Sequence, residues 1–324
     1  MRKLLLASAV LAAFSLPFTA SAQTAPAPAA AAPASPHTFT GNVGLFSEYR
    51  FRGISQTFKR PALQGGFDYA HESGIYLGTW ASNVSENTYP NGNLEWDFYG
   101  GYKFDLGKGF GLDLGGIYYY YPGTHTLPPN QPVPGFGAVG AVPESTKINN
   151  GELYIGATYS YFSLKYNRSL TNLFGLNNAM VTGFSTPVGI TGATPATSLC
   201  GLQSDGQVSA SNCYGSAPGD SKGSGYTDLN FNYPFGEKWT FGLHAGHQTV
   251  KNWSKHSYTD WKISLNKEWE GLNFGVAYVA TNAKREWYRY TTPGFAAPPA
   301  VGNAGQEIKD ASSGTLVLSV SKTF

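Results

Sequence analysis

Charged side chains in this sequence recur at every second position of short stretches. Two clear examples are residues 47–55, which read SEYRFRGIS, and residues 94–104, which read LEWDFYGGYKF. Alternation with period two places the charges on one face of an extended strand and the aromatic rings on the other. A face of acids and bases can pair its own charges, or it can line a passage that selects ions by the sign of their charge.

Histidine and cysteine are the other residue types that could carry chemistry. None of the six histidines stands in a G-x-S-x-G or H-E-x-x-H context, and His244 is expected to face inward on a strand. Two cysteines without a nearby histidine argue against a zinc site. We therefore expect no enzyme, no metal and no cofactor. A lipid hydrolase built on serine or histidine is a disfavoured alternative, because its motif is absent.

The composition points to a membrane β-barrel. Charged residues make up 13% of the 324 residues, against roughly 25% in a typical soluble domain, whereas aromatic residues make up 15%. The net charge of +2 gives no reason to expect a nucleic-acid partner. After the N-terminal region no run of eighteen apolar residues follows, so no transmembrane helix is predicted there. A barrel has this profile because only every second residue faces lipid.

The N-terminus has the features of an export signal. A basic start, an apolar run over residues 4–18 and the sequence Ala-Ser-Ala predict a signal peptide over residues 1–22, cleaved between Ala22 and Gln23. A membrane anchor is the alternative, but the run is short and contains Pro17. Residues 23–36, rich in proline and alanine, predict a linker. The folded domain, 37–324, is predicted to be an outer-membrane β-barrel.

Period-two alternation predicts twelve strands and an all-β, up-and-down antiparallel barrel. The predicted strands are 39–52, 62–71, 75–82, 94–104, 110–121, 151–159, 161–169, 226–233, 238–248, 258–267, 272–281 and 314–324. Short and long connections strictly alternate between them. Outer-membrane barrels have this arrangement, with short periplasmic turns and long extracellular loops. The roles of the long loops 122–150 and 170–225 are left open.

The outward-facing rings predict two aromatic belts at the two membrane interfaces, because ring position follows the presumed strand direction. The belt residues are Phe39, Tyr49, Phe51, Trp96, Tyr102, Phe104, Tyr118, Tyr120, Trp239 and Trp261.

The inward positions carry the charges of a candidate lumen. The predicted pore-lining residues are Glu48, Arg50, Arg52, Glu95, Asp97, Lys103, Glu152, Lys165, Asp228, Asp260 and Lys262. Acids outnumber bases among the inward candidates, which predicts a weak preference for cations. Twelve strands lie between a filled eight-stranded barrel and a sixteen-stranded water channel, so an open pore and a lumen closed by ion pairs both remain possible. The 170–225 segment could fold inward or cover the mouth.

Two further features fit an exported barrel. Cys200 and Cys213 lie in one polar segment and could close a small disulfide loop. The final strand ends on Phe324 and resembles the C-terminal signal that the barrel-assembly machinery reads. Lys322 departs from that pattern, but near the interface its long stem can reach water.

Several stretches carry a family resemblance. Residues 47–55, 61–84 and 94–104 and the closing VSKTF resemble the TorF-type porin family, also known as the Gcw_chp family of uncharacterised bacterial outer-membrane proteins. The resemblance implies a porin-like barrel and brings no catalytic residues.

We expect an outer-membrane porin for passive diffusion of small hydrophilic solutes or ions, in contact with outer-membrane lipids. The alternative is a non-conducting barrel whose loops bind a partner or act structurally. The solute and the oligomeric state are left open.

Overall fold

The computed structural model describes residues 35–86, 88–89, 92–124, 147–176, 219–285, 288–291 and 308–324. The predicted signal peptide with its cleavage site at Ala22 and Gln23, the cysteines Cys200 and Cys213, and most of the linker lie outside the described residues. The same is true of most of the 122–150 and 170–225 connections.

The described chain is built almost entirely of β-strands. In chain order they are β1 (His37–Phe46), β2 (Arg50–Phe51), β3 (Ile54–Ser55), β4 (Ala62–His71), β5 (Ile75–Asn83), β6 (Leu94–Gly107), β7 (Phe110–Tyr120), β8 (Asn150–Tyr159), β9 (Phe162–Ser169), β10 (Gly225–Phe235), β11 (Trp239–Thr249), β12 (Tyr258–Trp269), β13 (Leu272–Thr281), β14 (Arg289–Thr291), β15 (Ile308–Asp310) and β16 (Thr315–Thr323). The pairs β2–β3 and β14–β15 form separate two-stranded sheets, and the other twelve described strands close into one antiparallel barrel.

The predicted architecture is confirmed. Each strand of the barrel pairs with its neighbours along the chain, and β16 pairs with β1 to close the cylinder. Eleven of the twelve predicted strands agree with the observed ones to within three residues at each end. The first is wrong, because the prediction of 39–52 continues past Phe46, where β1 ends.

The C-terminal residue completes the closure. The amide of Phe324 donates to the carbonyl of Gly41 at 2.9 Å, and the amide of Gly41 donates back to Phe324 at 2.8 Å. A Cβ added at residue 41 would lie only 2.6 Å from the nearest ring carbon of Phe324, which is too close for any side chain. A glycine at position 41 therefore allows the last ring to lie flat on the wall.

Short and long connections leave the barrel at opposite ends. The short ones, such as the turn between β12 and β13, define the turn end. There Glu270 and Gly271 have φ values of 51° and 72° between the paired residues Trp269 and Leu272. Positive φ at both central positions is the geometry of a two-residue type I′ turn, and glycine adopts it without strain. The longer connections leave from the other end, the loop end.

The barrel is apolar outside and polar inside. Large apolar side chains face outward and are exposed, as with Phe67 at 66% and Leu153 at 54%. Buried polar residues such as Glu95, Asn150 and Asp260 face inward. A continuous apolar exterior of this kind suits hydrocarbon rather than water. None of the helical segments among the described residues is long and apolar enough to cross a membrane.

Candidate functional site

Residues 47–61, here named the inward hairpin, occupy the lumen at the loop end. After Phe46 the chain leaves the wall, forms β2, reverses at Arg52 and Gly53, returns as β3 and rejoins the wall at Ala62. Arg52 has φ 47° and Gly53 has φ 80°, so the reversal has left-handed backbone at both residues. The hairpin touches the wall on several sides, with contacts to β5, β6, β8, β10 and β11.

Two predicted belt residues are therefore placed differently. Tyr49 is only 4% exposed, donates its hydroxyl to Glu95 Oε1 at 3.1 Å and packs edge-on against Trp80. Phe51 packs against the rings of Tyr119 and Phe174 at 5.4 and 5.7 Å. The prediction that these two rings face lipid is wrong. The alternation in SEYRFRGIS is real, but both faces of this segment lie inside the barrel.

Arg52 at the tip makes the most extensive polar contact of the hairpin. Its guanidinium binds the Glu152 carboxylate in a bidentate pair, at 3.1 and 2.6 Å, and donates to Gln248 Oε1 at 2.8 Å. It also stacks over the ring of Tyr226 at 4.3 Å. Burial lowers the pKa of Arg52, but the charge of Glu152 outweighs burial, so the net pKa lies above its usual range. The guanidinium of Arg52 is therefore charged inside the barrel.

The base of the hairpin carries a second ion pair. Arg50 contacts Glu48 at 3.0 Å and also donates to the carbonyls of Gly53 and Ala311. Glu48, Arg50 and Arg52 thus all lie inside the barrel, but on the hairpin and not on the first barrel strand as predicted. Arg52 binds Glu152 and does not brace Glu95 or Asp97.

Polar atoms without partners lie behind the hairpin. Asp97 on β6 is fully buried, and neither of its carboxylate oxygens has a hydrogen-bond partner among the described residues. The same holds for Glu95 Oε2 and for the hydroxyl of Tyr119, which is paired in register with Asp97 across β6 and β7. Leaving a buried polar group without a hydrogen-bond partner costs about 1–3 kcal/mol.

A histidine between two carboxylates lies next to the hairpin tip. His244 Nδ1 is 3.0 Å from Asp228 Oδ1, and its Nε2 is 2.7 Å from Asp260 Oδ2. Tyr226 donates its hydroxyl to Asp260 at 3.0 Å. Both ring nitrogens are engaged, so this imidazole has no free nitrogen with which to deprotonate a substrate. Among the described residues no group of three His, Cys, Asp or Glu is arranged to hold a metal ion.

Cations over tyrosine rings line the wall nearer the turn end. Lys165 Nζ lies 4.2 Å from the ring of Tyr154, and Lys103 Nζ lies 5.1 Å from the ring of Tyr76. Tyr76 donates to Asp113 at 2.6 Å and contacts the hydroxyl of Tyr154. The predicted pore-lining residues Lys103 and Lys165 therefore lie on the same side of the wall, which is formed by β5 to β9.

A cavity of ≈ 90 Å³ lies beneath the hairpin. Three acids and three bases line it together with His244, and these are Glu48, Asp228, Asp260, Arg50, Arg52 and Lys262. Glu95, Asp97 and Glu152 lie outside this lining. The hairpin thus separates nine of the predicted pore-lining residues into a cavity lined by charges of both signs and a buried group of three acids, and Lys103 and Lys165 lie outside both.

The remaining predicted belt residues lie on the outside. Phe39, Trp96, Phe104, Tyr118 and Trp261 are between 40% and 76% exposed. Tyr102 and Tyr120 are each 37% exposed, whereas Trp239 is half-buried and stacks on Phe235.

Four wall residues that contact the inward hairpin are absent from the predicted site, namely Trp80, Tyr119, Tyr226 and Gln248. The strand phase contained a signal for three of them, since Tyr119, Tyr226 and Gln248 share the inward phase of Asp113, Asp228 and His244. The third predicted strand, 75–82, reads IYLGTWAS and has apolar residues in both phases, so the sequence gives no such signal for Trp80.

A family model described as a bacterial protein of unknown function, Gcw_chp, matches residues 30–324. The chain belongs to the Gcw_chp family. No curated protein matches this Gcw_chp chain.

Solved porin structures are similar to this Gcw_chp chain at low identity. The KdgM porin has 8% identity and a TM-score of 0.42, with 88% of this chain and 99% of that chain covered. The NanC porin has 8% identity and a TM-score of 0.41, with 88% and 98% covered. OprD of Pseudomonas aeruginosa has 11% identity and a TM-score of 0.31, with 88% and 66% covered.

Proposed function

We propose that this protein is an outer-membrane porin through which small hydrophilic solutes or ions diffuse along a narrow, charged lumen. The observation that supports it is the cavity beneath the inward hairpin, lined by charged groups of both signs inside a barrel with an apolar exterior. We include the TorF-type porin designation in this proposal. On this proposal the turn end faces the periplasm and the loop end faces the outside.

The proposal also assigns the exterior. The exposed rings at the two ends of the strands are the aromatic belts at the lipid headgroups. Phe324 serves as the signal for the barrel-assembly machinery. Its ring lies against Gly41 at the turn end and is exposed there. An export signal over 1–22 and a linker over 23–36 complete the proposed precursor.

Planar-bilayer recording tests the porin. Two proteins are compared after refolding to the heat-modifiable form: the natural chain, and a variant in which residues 47–61 are replaced by Asn-Gly. The replacement is compatible with the wall because Phe46 and Ala62 are direct partners in register, so a two-residue turn can join β1 to β4. Stepwise conductance in either protein supports the porin, and silence of both at every voltage excludes it.

Ion selectivity provides a second test. The predicted weak cation preference rests on the acids outnumbering the bases, and Glu95, Asp97 and Glu152 are three of those acids. Reversal potentials in a salt gradient should show cation preference whenever these residues face the solution. Clear anion preference would contradict this part of the proposal.

A non-conducting barrel is the alternative, and the hairpin is the observation that favours it, since Arg52 and Glu152 close the loop end. Its loops would then bind a partner or act structurally. Deletion of 126–146 or 175–220 would abolish such a role, and conductance would be absent or unaffected.

A further inference from the structure

The inward hairpin is connected to the barrel wall at one place, where β1 ends and β4 begins. Its two ends are Phe46 and Ala62, which are direct cross-strand partners on β1 and β4. All its other contacts with the rest of the described chain are made by side chains or by single backbone hydrogen bonds, such as Ser55 N to Ala311 O at 3.0 Å. Removal of the hairpin from the lumen would therefore leave every strand pairing of the barrel in place.

The hairpin is also folded within itself. Arg50 pairs with Ser55 and Phe51 pairs with Ile54, and Gln56 N donates to Tyr49 O at 2.9 Å. Tyr49 N donates to Thr57 Oγ1 at 3.1 Å. Because these bonds do not involve the wall, the segment can keep its shape and move as one unit.

A few polar contacts attach the tip to the distant wall. The bidentate pair of Arg52 with Glu152 and the contact with Gln248 are buried, with 6% and 1% of the two ion-paired side chains exposed. At the base, Tyr49 binds Glu95. These contacts and the packing of Phe51 and Phe58 favour the seated position.

Other features of the seated position oppose it. Asp97, Glu95 Oε2 and the hydroxyl of Tyr119 are buried without hydrogen-bond partners among the described residues. Water entering behind a departing hairpin would solvate these groups and remove that penalty. The position of the hairpin in the lumen is thus stabilised by the ion pair of Arg52 with Glu152. It is destabilised by buried polar groups that water would solvate once the hairpin left.

We propose that the inward hairpin is a releasable plug, that the Arg52–Glu152 ion pair is its latch, and that passage through the lumen requires the hairpin to leave. The inference rests on the proposed porin function. The competing possibility is a fixed constriction, past which solutes move while the hairpin stays seated.

A reversible cross-link separates the two possibilities. In a background with Cys200→Ser and Cys213→Ser, the pair Gly53→Cys and Thr281→Cys joins the tip to β13. A Cβ placed on residue 53 lies 3.3 Å from the Cβ of Thr281, close to the roughly 3.5–4.5 Å that a disulfide spans. Each single cysteine variant serves as a matched control, and loss of maleimide labelling verifies that the link has formed.

For a plug, oxidation abolishes the bilayer current and a reductant restores it, while neither single variant responds. A linked protein that conducts like its reduced form overturns the plug and leaves the porin intact, because solutes then pass a seated hairpin.

A cysteine at position 53 is strained, because Gly53 has a positive φ and a Cβ there would lie 2.7 Å from the Cβ of Asp260. The variant with Asn-Gly in place of residues 47–61 therefore provides an independent test. A plug predicts that this variant conducts steadily and more than the natural chain. Equal conductance of the two proteins overturns the plug, and silence of both overturns the plug and the porin together.

Discussion

Arg52 and Glu152 meet inside the barrel as a bidentate ion pair, with the two N–O distances at 3.1 and 2.6 Å. Both side chains are almost fully removed from solvent. The pair joins the tip of the inward hairpin to β8, on the far side of the lumen from the point where the hairpin leaves the wall. A contact of this kind couples the position of the hairpin to one carboxylate.

The first prediction concerns that carboxylate. Glu152→Gln leaves the buried guanidinium without its counter-charge, which we expect to destabilise the seated hairpin by about 3 kcal/mol. Amide hydrogen exchange of a peptide covering residues 49–58, measured in nanodiscs, should then accelerate about 100-fold if exchange follows the open population. The amides of Gln56 and Tyr49, bonded within the hairpin, report whether the segment also unfolds.

The matched control is Glu268→Gln, which removes the pair of Glu268 with Lys238 on the turn end. The lysine side chain there is 50% exposed, so the pair contributes at most about 1 kcal/mol. Exchange of the hairpin should not change in this variant. Equal exchange in both variants would show that Glu152 does not hold the hairpin.

The second prediction distinguishes charge from contact. The double substitution Arg52→Met and Glu152→Met removes both charges and retains side chains of considerable length. Replacing a buried ion pair by apolar residues is often neutral or stabilising by about 1–4 kcal/mol. We therefore expect the hairpin of the double variant to exchange no faster than that of the natural chain. Fast exchange, like that of Glu152→Gln alone, would contradict the prediction.

The strands of this barrel could be predicted from sequence, because period-two alternation depends only on neighbouring residues. The alternation of Tyr118 and Tyr120 with inward Tyr119 is one example. The inward hairpin could not be predicted in the same way. Its alternation continues that of β1, and the partners that draw it inside, Glu152 and Ala311, are far away in the chain.

The third prediction concerns Asp97. Asp97→Asn replaces a fully buried acid whose oxygens have no hydrogen-bond partner among the described residues, and the amide of asparagine cannot ionise there. We expect the seated hairpin to become more stable and its exchange to slow by about tenfold.

Asp68→Asn is the control for this substitution, since Asp68 accepts a hydrogen bond from Tyr99 at 2.6 Å and lies toward the turn end. It should leave exchange of the hairpin unchanged. Faster exchange of the hairpin in Asp97→Asn would mean that the side chain of Asp97 stabilises the hairpin in the lumen.

The fourth prediction uses two glycines of the wall. A Cβ on Gly246 would overlap the hydroxyl of Tyr226 and lie 2.8 Å from Asp260 Oδ1, whereas a Cβ on Gly156 has its nearest neighbour at 3.6 Å. Gly246→Ala should displace Tyr226, whose ring supports Arg52, and destabilise the barrel by about 1–3 kcal/mol. Gly156→Ala should change stability by less than about 0.5 kcal/mol.

Urea unfolding followed by the heat-modifiable gel shift measures both glycine variants. Equal urea midpoints of the two variants would show that Tyr226 can move without loss of stability. The ring of Tyr226 would then not be needed to support Arg52.

The fifth prediction concerns pH and the connection between β11 and β12. Burial lowers the pKa of His256 to about 3, and its ring packs edge-on against Trp253 and Tyr288. When this connection comes away from the barrel, the histidine regains its usual pKa near 6.5, so the undocked form binds more protons between about pH 3 and pH 6.5. The stabilisation is therefore complete above pH 6.5 and is lost progressively as the pH falls below it. Hydrogen exchange of residues 250–257 should accelerate between pH 7 and pH 5, after correction for the intrinsic pH dependence of exchange. In His256→Phe, which retains a ring and cannot bind a proton, the corrected rates should be the same at both pH values. A pH response that persists in this variant would assign the effect to another group.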